Sequence, residues 1–328
     1  MTDAARWAIL GAGAIATDFA DALIHAEHGT LHAVGARDSD RAREFAGRYD
    51  APVADTYERV LERDDIDAVY VATVHTTHLD LARAALDAGK AVLCEKPLTV
   101  TAADTEALLA HADRAGLPLV EAFKYRFGPF AERLRELVAG DELGELVEIE
   151  ASLGFAAGSR KGRLFDPATA GGAILDVGCY PVSLAVGVAA SAGIDLGRAA
   201  VAQASGAIGA TGVDETASAV LDLGGVPARV RTSIVEETPR AVRIVGTRAT
   251  VEIDNAWGSR SLSNDSAVVV DAGGTRRRIV TETVQPMAAE ADAVIAALRA
   301  GRTQAPEMPW EQSRVIARLL DGWLDALR

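Results

Sequence analysis

The sequence predicts an α/β protein in two parts, a doubly wound parallel sheet followed by an α+β domain with an open, mostly antiparallel sheet. Up to about residue 122, short buried runs alternate with segments of helical period, which is typical of parallel strands joined by crossover helices. After that point several runs alternate between apolar and polar residues, as strands with one solvated face do. A length of 328 residues fits two domains.

The first part, residues 1–122, is predicted to be a Rossmann domain. Its buried runs predict strands over 7–10, 31–35, 68–72, 91–94 and 119–122. Its amphipathic segments predict helices over 14–26, 39–49, 77–88 and 101–115.

The second part, residues 123–328, is predicted to bind substrate and to oligomerise. Its predicted helices lie at 129–139, 173–190, 286–300 and 310–327. Period-two runs lie at 146–150, 217–223, 228–233 and 240–245. The apolar alternation over 217–253 suits a sheet that pairs with a second subunit, and equally one covered by the protein's own helices.

Composition excludes several classes of protein. There are 33 basic and 47 acidic residues, so the net charge is −14, which argues against a nucleic-acid partner. We see no secretory signal and no run of about 18 uncharged apolar residues, so we expect a cytoplasmic protein without a membrane span. Two cysteines cannot form a disulfide framework, and no His, Cys and carboxylate cluster has metal-ligand spacing.

The segment LGAGAIATDFA contains a G-x-G-x-x-A pattern between a strand and a helix. Gly11 permits a tight turn, Gly13 allows the backbone to approach a pyrophosphate, and Ala16 keeps the helix close to the strand. The helix N-terminus, with Ala14 and Ile15, offers free N–H groups to phosphates. This context predicts dinucleotide binding.

The end of the second strand bears on the choice of cofactor. An acidic residue there usually binds the ribose 2′-hydroxyl of NAD, but here Arg37 precedes Asp38, and Arg41 follows one turn on. A guanidinium can hold a 2′-phosphate through two hydrogen bonds. We therefore favour NADP. The alternatives are that Arg37 only stacks on adenine, or that Asp38 binds the ribose of NAD.

A lysine, a tyrosine and an aspartate are the candidate catalytic residues. Lys96 follows a strand, at the edge where ligands of doubly wound sheets bind. Asp176 and Tyr180 are four residues apart on a predicted helix, hence on one face. A phenol needs a nearby cation to act as a base near neutral pH, and Lys96 would supply it. The alternatives are a solvated surface lysine and a tyrosine that only packs.

Four motifs together resemble the Gfo/Idh/MocA oxidoreductases over nearly the whole chain. They are GAGAIA at 11–16, EKP at 95–97, GGAILDVGCY at 171–180 and GRTQAPEMPWEQS at 301–313. Within the family, the segments AVGARDSDRAREFA and TGVDETASAVL are similar to those of dimeric dihydrodiol dehydrogenases and NADP-dependent D-xylose 1-dehydrogenases.

The resemblance implies a cis bond before Pro97 that fixes Lys96 at the cleft, with Tyr180 as the acid/base and Asp176 orienting substrate. It implies assembly through the second sheet, as a homodimer or homotetramer. The segment ATVHTTH lacks the family's proline, which leaves the nicotinamide contact open. Candidate cofactor-binding residues at strand ends are Thr73, His75, His78, Glu95 and Lys96. Candidate substrate-binding residues, which could equally pack between the domains, are Arg126, Phe127 and Trp257.

These observations predict an NAD(P)-dependent oxidoreductase. It would move hydride between nicotinamide and a secondary or anomeric hydroxyl of a small sugar, polyol or cyclic diol. Two alternatives stay open, a redox-neutral enzyme whose bound NAD is reduced only transiently, and a non-catalytic nucleotide sensor of the same fold.

Overall fold

The computed structural model describes residues 4–257, 265–281 and 285–328, and these form two sheets with helices packed on them. The first sheet has six parallel strands in the order β3-β2-β1-β4-β5-β6. This is the order of the Rossmann fold, in which ligands bind where the strand order reverses, next to β1. The strands are β1 (Ala5–Leu10), β2 (Gly29–Gly35), β3 (Val53–Asp55), β4 (Ala68–Val71), β5 (Ala91–Glu95) and β6 (Leu119–Ala122).

The helices of this part confirm the predicted alternation. They are α1 (Ala14–Leu23), α2 (Ser39–Ala46), α3 (Tyr57–Leu61), α4 (His78–Asp87) and α5 (Ala102–Ala115). The helix predicted to begin at Thr101 begins one residue later, because the Thr101 hydroxyl caps it by accepting from the Asp104 N–H. Sequence periodicity missed β3 and α3, which have only three and five residues.

The second sheet has eight strands in the order β14-β13-β12-β11-β7-β10-β9-β8. Within the described part of this sheet, β7 and β10 are the only pair that runs parallel, so the prediction of a mostly antiparallel sheet is confirmed. The strands are β7 (Leu146–Gly154), β8 (Ala200–Ile208), β9 (Asp214–Leu223), β10 (Val226–Ser233), β11 (Val242–Gly246), β12 (Ala249–Ile253), β13 (Asp265–Asp271) and β14 (Arg276–Thr281).

The second sheet has one covered face and one open face. The covered face packs against α7 (Cys179–Ser191) and the π-helical turn before it, Ile174–Gly178. The open face encloses a shallow concavity of about 720 Å³ lined by charged side chains, among them Glu150, Arg229 and Arg243. The protein's own helices therefore cover one face of this sheet.

The C-terminal helices revise the predicted division of the chain. Helix α8 (Pro286–Arg299) packs on α1, β2, β5 and β6 of the first part, and buries Met287, Ala291 and Val294 there. Helix α9 (Trp310–Asp325) lies between α5 and α7 and contacts both parts. The sequence placed both helices in the second domain because it shows an apolar stripe but not which surface the stripe covers. The remaining helix, α6 (Pro129–Ala139), has the predicted bounds.

Among the described residues, one helical stretch, Pro167–Ser191, is long and apolar enough to cross a membrane. The sequence analysis predicted a helix over 173–190 here but expected no membrane span. Because 83% of its most apolar window is buried inside the protein, it has the burial of a core helix in a soluble fold.

Candidate active site

A cleft of about 1070 Å³ lies between the two parts and is lined by both. It sits at the carboxyl ends of the parallel strands, where doubly wound sheets bind ligands. The sequence-predicted residues that line it are Gly11, Gly13, Ala14, Ile15, Arg37, Arg41, Thr73, His75, Glu95, Lys96, Asp176, Tyr180 and Trp257. Ala16, His78, Arg126 and Phe127 were predicted for the site but do not line the cleft.

The glycine turn forms one end of the cleft from backbone alone. Gly11 has φ +124°, and a Cβ there would lie 2.4 Å from the Ala72 carbonyl oxygen, so only glycine fits. A Cβ on Gly13 would meet nothing within 4 Å, which leaves an open cradle at the N-terminus of α1. Ala16 is fully buried against the sheet. This cradle has the shape and the free N–H groups that a dinucleotide pyrophosphate requires.

A basic group lies beyond the glycine turn. Arg37, Arg41 and Tyr57 line the cleft together. The Asp38 carboxylate accepts a hydrogen bond from the Asp40 N–H at 2.8 Å and so caps α2. Tyr57 escaped the sequence analysis because it begins α3, the helix too short to be predicted.

The loop after β4 contains two histidines with different roles. Burial, followed by the charge of Lys96, lowers the pKa of His75 to about 3, and its Nδ1 donates to the Ala170 carbonyl oxygen at 3.2 Å. His75 therefore lines the cleft as a neutral side chain and joins the two parts. His78 is fully buried, with Nδ1 2.9 Å from the Pro97 carbonyl oxygen. The cofactor-contact prediction for His78 is wrong in this geometry, because both ring nitrogens face backbone carbonyl groups of the loops that they hold.

Lys96 leaves β5 at the centre of the cleft. The Lys96–Pro97 peptide bond is cis, as the resemblance implied. The Lys96 Nζ donates to the Asp176 carbonyl oxygen at 2.6 Å and lies 5.1 Å from the centre of the Tyr180 ring. Burial disfavours the charge on Lys96, yet its pKa is raised, because neighbouring acidic groups outweigh burial. These groups are Cys179, Asp176 and Glu95.

Asp176 faces two cations. Burial would raise the pKa of its carboxyl, but the charges of Lys96 and then Arg163 outweigh burial, so the pKa is lowered. The Arg163 Nη1 donates to Asp176 Oδ1 at 2.7 Å, from a side chain that is 50% exposed at the mouth of the cleft. Asp176 is thus an ionised carboxylate at neutral pH. The sequence analysis missed Arg163, whose only signal was its place in the basic segment SRKGR.

Tyr180 lies in an aromatic cluster. Its ring centre is 5.6 Å from that of Phe123 and 5.9 Å from those of Tyr125 and Trp257. Burial, followed by the charge of Glu95, raises the pKa of the Tyr180 phenol well above 10. The expectation that Lys96 lowers this pKa is wrong here, because burial and then the charge of Glu95 dominate.

Glu95 lies behind Lys96. Its carboxylate accepts from the Tyr70 hydroxyl and from the Lys96 backbone N–H. Burial raises the pKa of Glu95. Among the residues that the structure describes, no cluster of three His, Cys, Asp or Glu side chains is placed to hold a metal ion.

The three predicted substrate contacts separate into two groups. Trp257 lines the cleft and its Nε1 donates to the Ser152 carbonyl oxygen at 2.9 Å. Arg126 instead points beneath α7, where its guanidinium donates to the carbonyl oxygens of Ser183 and Glu307. Phe127 is buried in the core. Arg126 and Phe127 therefore pack between elements, the alternative that the sequence left open.

The fold, the phosphate cradle and the Lys96, Asp176 and Tyr180 group define an oxidoreductase with an NAD(P)-binding Rossmann domain. The model of the oxidoreductase family with an NAD-binding Rossmann fold matches residues 5–123, and that of the GFO/IDH/MocA C-terminal domain matches residues 131–252. The chain belongs to the Gfo/Idh/MocA family.

The chain is similar to two curated relatives and to two solved structures, as follows. The mouse trans-1,2-dihydrobenzene-1,2-diol dehydrogenase is 34% identical over 97% of this chain and 95% of its own. D-xylose 1-dehydrogenase (NADP(+)) 2 of Haloferax volcanii is 42% identical, but the match spans only 54% of this chain and 55% of that protein. A 3-ketoreductase from Actinomadura kijaniata, in complex with NADP and TDP-benzene, superposes with a TM-score of 0.88 at 25% identity, covering 99% of this chain and 98% of its own. An aldose-aldose oxidoreductase from Caulobacter crescentus shares the fold, with a TM-score of 0.87 at 24% identity and coverage of 99% and 97%.

Proposed function

We propose that this protein is an NADP-preferring dehydrogenase or reductase acting on a CH–OH group of a sugar, polyol or cyclic diol. The observation that carries the proposal is the convergence of Lys96, Asp176 and Tyr180 in the cleft that also holds the glycine turn. Full-length similarity to a dihydrodiol dehydrogenase, and the shorter match to a xylose dehydrogenase, support the substrate class.

The proposed chemistry divides between the cofactor and the chain. When bound, the nicotinamide supplies or accepts the hydride. Because its pKa is high, Tyr180 carries its proton at neutral pH and can donate it to the oxygen of a carbonyl that is being reduced. Lys96 stabilises negative charge that develops on that oxygen, and ionised Asp176 accepts a hydrogen bond from a neighbouring substrate hydroxyl. In the oxidative direction the same phenol must first lose its proton.

The preference for NADP is supported by Arg37 and Arg41. Both guanidinium groups line the cleft, and neither has a carboxylate partner within the described parts of the chain. The Asp38 carboxylate, the group that would select NAD, already caps α2. A 2′-phosphate beside Arg37 and Arg41 would meet two positive charges.

Assembly and location extend the proposal. The open face of the second sheet offers a concave surface with charges of both signs, which suits pairing with a second copy of itself in a homodimer or homotetramer. We place the protein in the cytoplasm, and its two free cysteines, both buried, suit a reducing compartment.

The first experiment is a test of turnover with NADP(H) and NAD(H) on matched substrates. Pentoses, hexoses, inositols and trans-dihydrodiols are offered for oxidation, and the corresponding carbonyl compounds for reduction. Nicotinamide absorbance reports net turnover. We expect turnover on at least one of these classes, faster with the phosphorylated cofactor.

Two outcomes would overturn the proposal in different ways. Product formation without net change in nicotinamide absorbance, with a cofactor that survives purification, would identify a redox-neutral enzyme. Tight cofactor binding without any product across the panel would favour a nucleotide sensor.

A further inference from the structure

Asp214 is a buried carboxylate behind the cleft. It opens β9 within the segment TGVDETASAVL and is only 3% exposed. Its Oδ2 accepts a hydrogen bond from the Ile174 backbone N–H at 2.7 Å. Asp214 thus contacts the first turn of the helical stretch that carries Asp176 and Tyr180, two and six residues further on.

The local sequence cannot cap this helical stretch itself. Ala173, which precedes the π-helical turn, already has helical backbone angles, and neither it nor Gly172 before it has a side-chain acceptor. Helix N-termini usually obtain that acceptor from their own Ser, Thr, Asp or Asn. Asp214 supplies it from another strand, with a negative charge that the N-terminal end of a helix favours.

The glycine before the turn leaves the space that the Asp214 carboxylate occupies. Gly172 has φ +112°, and a Cβ at this position would lie 2.2 Å from Asp214 Oδ1. Any larger residue would push the carboxylate away from the Ile174 N–H. Burial raises the pKa of Asp214 to about 6, so the carboxyl is largely ionised at neutral pH.

The turn held by Asp214 is π-helical over Ile174–Gly178. The wider register of this turn places both polar groups of Asp176. The Asp176 backbone carbonyl accepts a hydrogen bond from Lys96 Nζ at 2.6 Å, and the Asp176 carboxylate accepts one from Arg163. Pro181, five residues after Asp176, has no N–H to offer that carbonyl.

We propose that Asp214 is a positioning residue that sets Asp176 and Tyr180 against Lys96 by holding the π-helical turn from β9. It touches neither the cleft nor its lining directly and acts through the Ile174 N–H. The expected loss of kcat rests on the proposed function, whereas the expected displacement of Tyr180 does not.

The test compares Asp214→Ala with Asp214→Asn and with a matched control, Ser233→Ala. The asparagine keeps an oxygen that accepts from Ile174, whereas the alanine does not. Ser233 is fully buried on β10, and its hydroxyl also hydrogen-bonds to the backbone. It donates to the Glu215 carbonyl oxygen and accepts from the Val235 and Glu236 N–H groups. Its removal costs buried hydrogen bonds without touching the turn. Thermal unfolding of all three variants establishes that they fold.

The first readout is the position of Tyr180, independent of activity. The protein, which has five tyrosines, is labelled with 3-fluorotyrosine, and the ¹⁹F resonance of Tyr180 is assigned with Tyr180→Phe. We expect Asp214→Ala to move or broaden this resonance, and Asp214→Asn and Ser233→Ala to leave it near the wild-type position. An unmoved resonance in folded Asp214→Ala overturns the proposal, as does an equal displacement in Ser233→Ala.

The second readout is kinetic. We expect Asp214→Ala to lower kcat by about tenfold to a hundredfold, since small misplacements of reacting groups cost this much. NADP affinity should stay at the wild-type value because the glycine turn belongs to the first part of the chain and does not contact Asp214 or the π-helical turn. Asp214→Asn should restore most of kcat. Wild-type kcat in folded Asp214→Ala overturns the proposal. A displaced resonance in a protein whose wild type turns over no substrate supports the positioning role and contradicts the proposed function instead.

Discussion

The two walls of the cleft are built in different ways. The first wall, around the glycine turn, consists of backbone: a tight turn at Gly11, an open cradle at Gly13 and the N-terminus of α1. The second wall consists of side chains whose charges depend on one another, with Lys96 between Asp176, Glu95 and the Tyr180 ring. The first wall should therefore respond to added volume, and the second to any change in charge or proton donors.

The largest effect is expected on the second wall, from Tyr180→Phe. This change removes the proton donor and keeps the ring, so turnover should fall by about a hundredfold to ten-thousandfold while NADP affinity stays unchanged. Steady-state kinetics and a cofactor titration measure the two quantities. Tyr125→Phe is the control, because this neighbouring, partly buried tyrosine donates to Ser183 and does not line the cleft. Equal losses in the two variants would contradict the difference in role.

Beneath the second wall lies a buried carboxyl, that of Glu121, whose charge should affect the stability of the protein. Glu121 accepts from the Leu98 N–H and from the Ser313 hydroxyl, and burial raises its pKa to about 7. Because the folded pKa exceeds the unfolded value, the stabilisation is complete below the unfolded pKa and is lost as pH rises through about 7.

Glu121→Gln should abolish this pH dependence. The wild type should lose about 3 kcal/mol of unfolding free energy between pH 4.5 and 7 from this group, because burial raises the pKa of Glu121 from 4.5 to about 7. Urea denaturation of both proteins across this range measures the difference between their slopes. Parallel curves for wild type and variant would show that Glu121 does not titrate in this window.

Filling the backbone cradle tests the first wall. Gly13→Val adds a side chain in front of α1, where its Cβ meets no atom within 4 Å and the φ of −103° suits any residue. NADP affinity should fall at least about tenfold, or 1.4 kcal/mol, with the thermal unfolding temperature nearly unchanged. Calorimetric titration and thermal unfolding check both. Unchanged NADP affinity would show that the pyrophosphate does not lie here.

The smallest effect is expected beyond the first wall, at the basic group formed by Arg37 and Arg41. Arg37→Ala should weaken NADP binding by about tenfold, the scale of one charge-assisted hydrogen bond, and leave NAD binding almost unchanged. Arg43→Ala is the control, since this exposed arginine of α2 pairs with Asp40 and does not line the cleft. Equal losses for NADP and NAD would assign Arg37 to adenine stacking instead.

The two walls also differ in how far the sequence revealed them. Gly11, Gly13 and Ala16 are close in sequence and act through backbone geometry, so a local pattern was enough to find them. Lys96, Asp176 and Tyr180 were found by combining strand-end position, helical spacing and resemblance. Arg163, by contrast, reaches Asp176 only because a loop folds over the cleft. His78, Arg126 and Phe127 were misplaced, because sequence position does not show which way a side chain points.

The sequence alone determined the strand and helix alternation of the first part, the tight glycine turn, and the placement of Lys96 after a strand and of Asp176 and Tyr180 on one helix. Each of these depends on residues near one another in the chain, where sterics and hydrogen-bond periodicity act directly. Only the tertiary structure decided that α8 covers the parallel sheet, that Asp214 caps a distant helix and that burial raises the pKa of Tyr180. These properties depend on burial and on charges brought together from remote segments, and no local pattern encodes them.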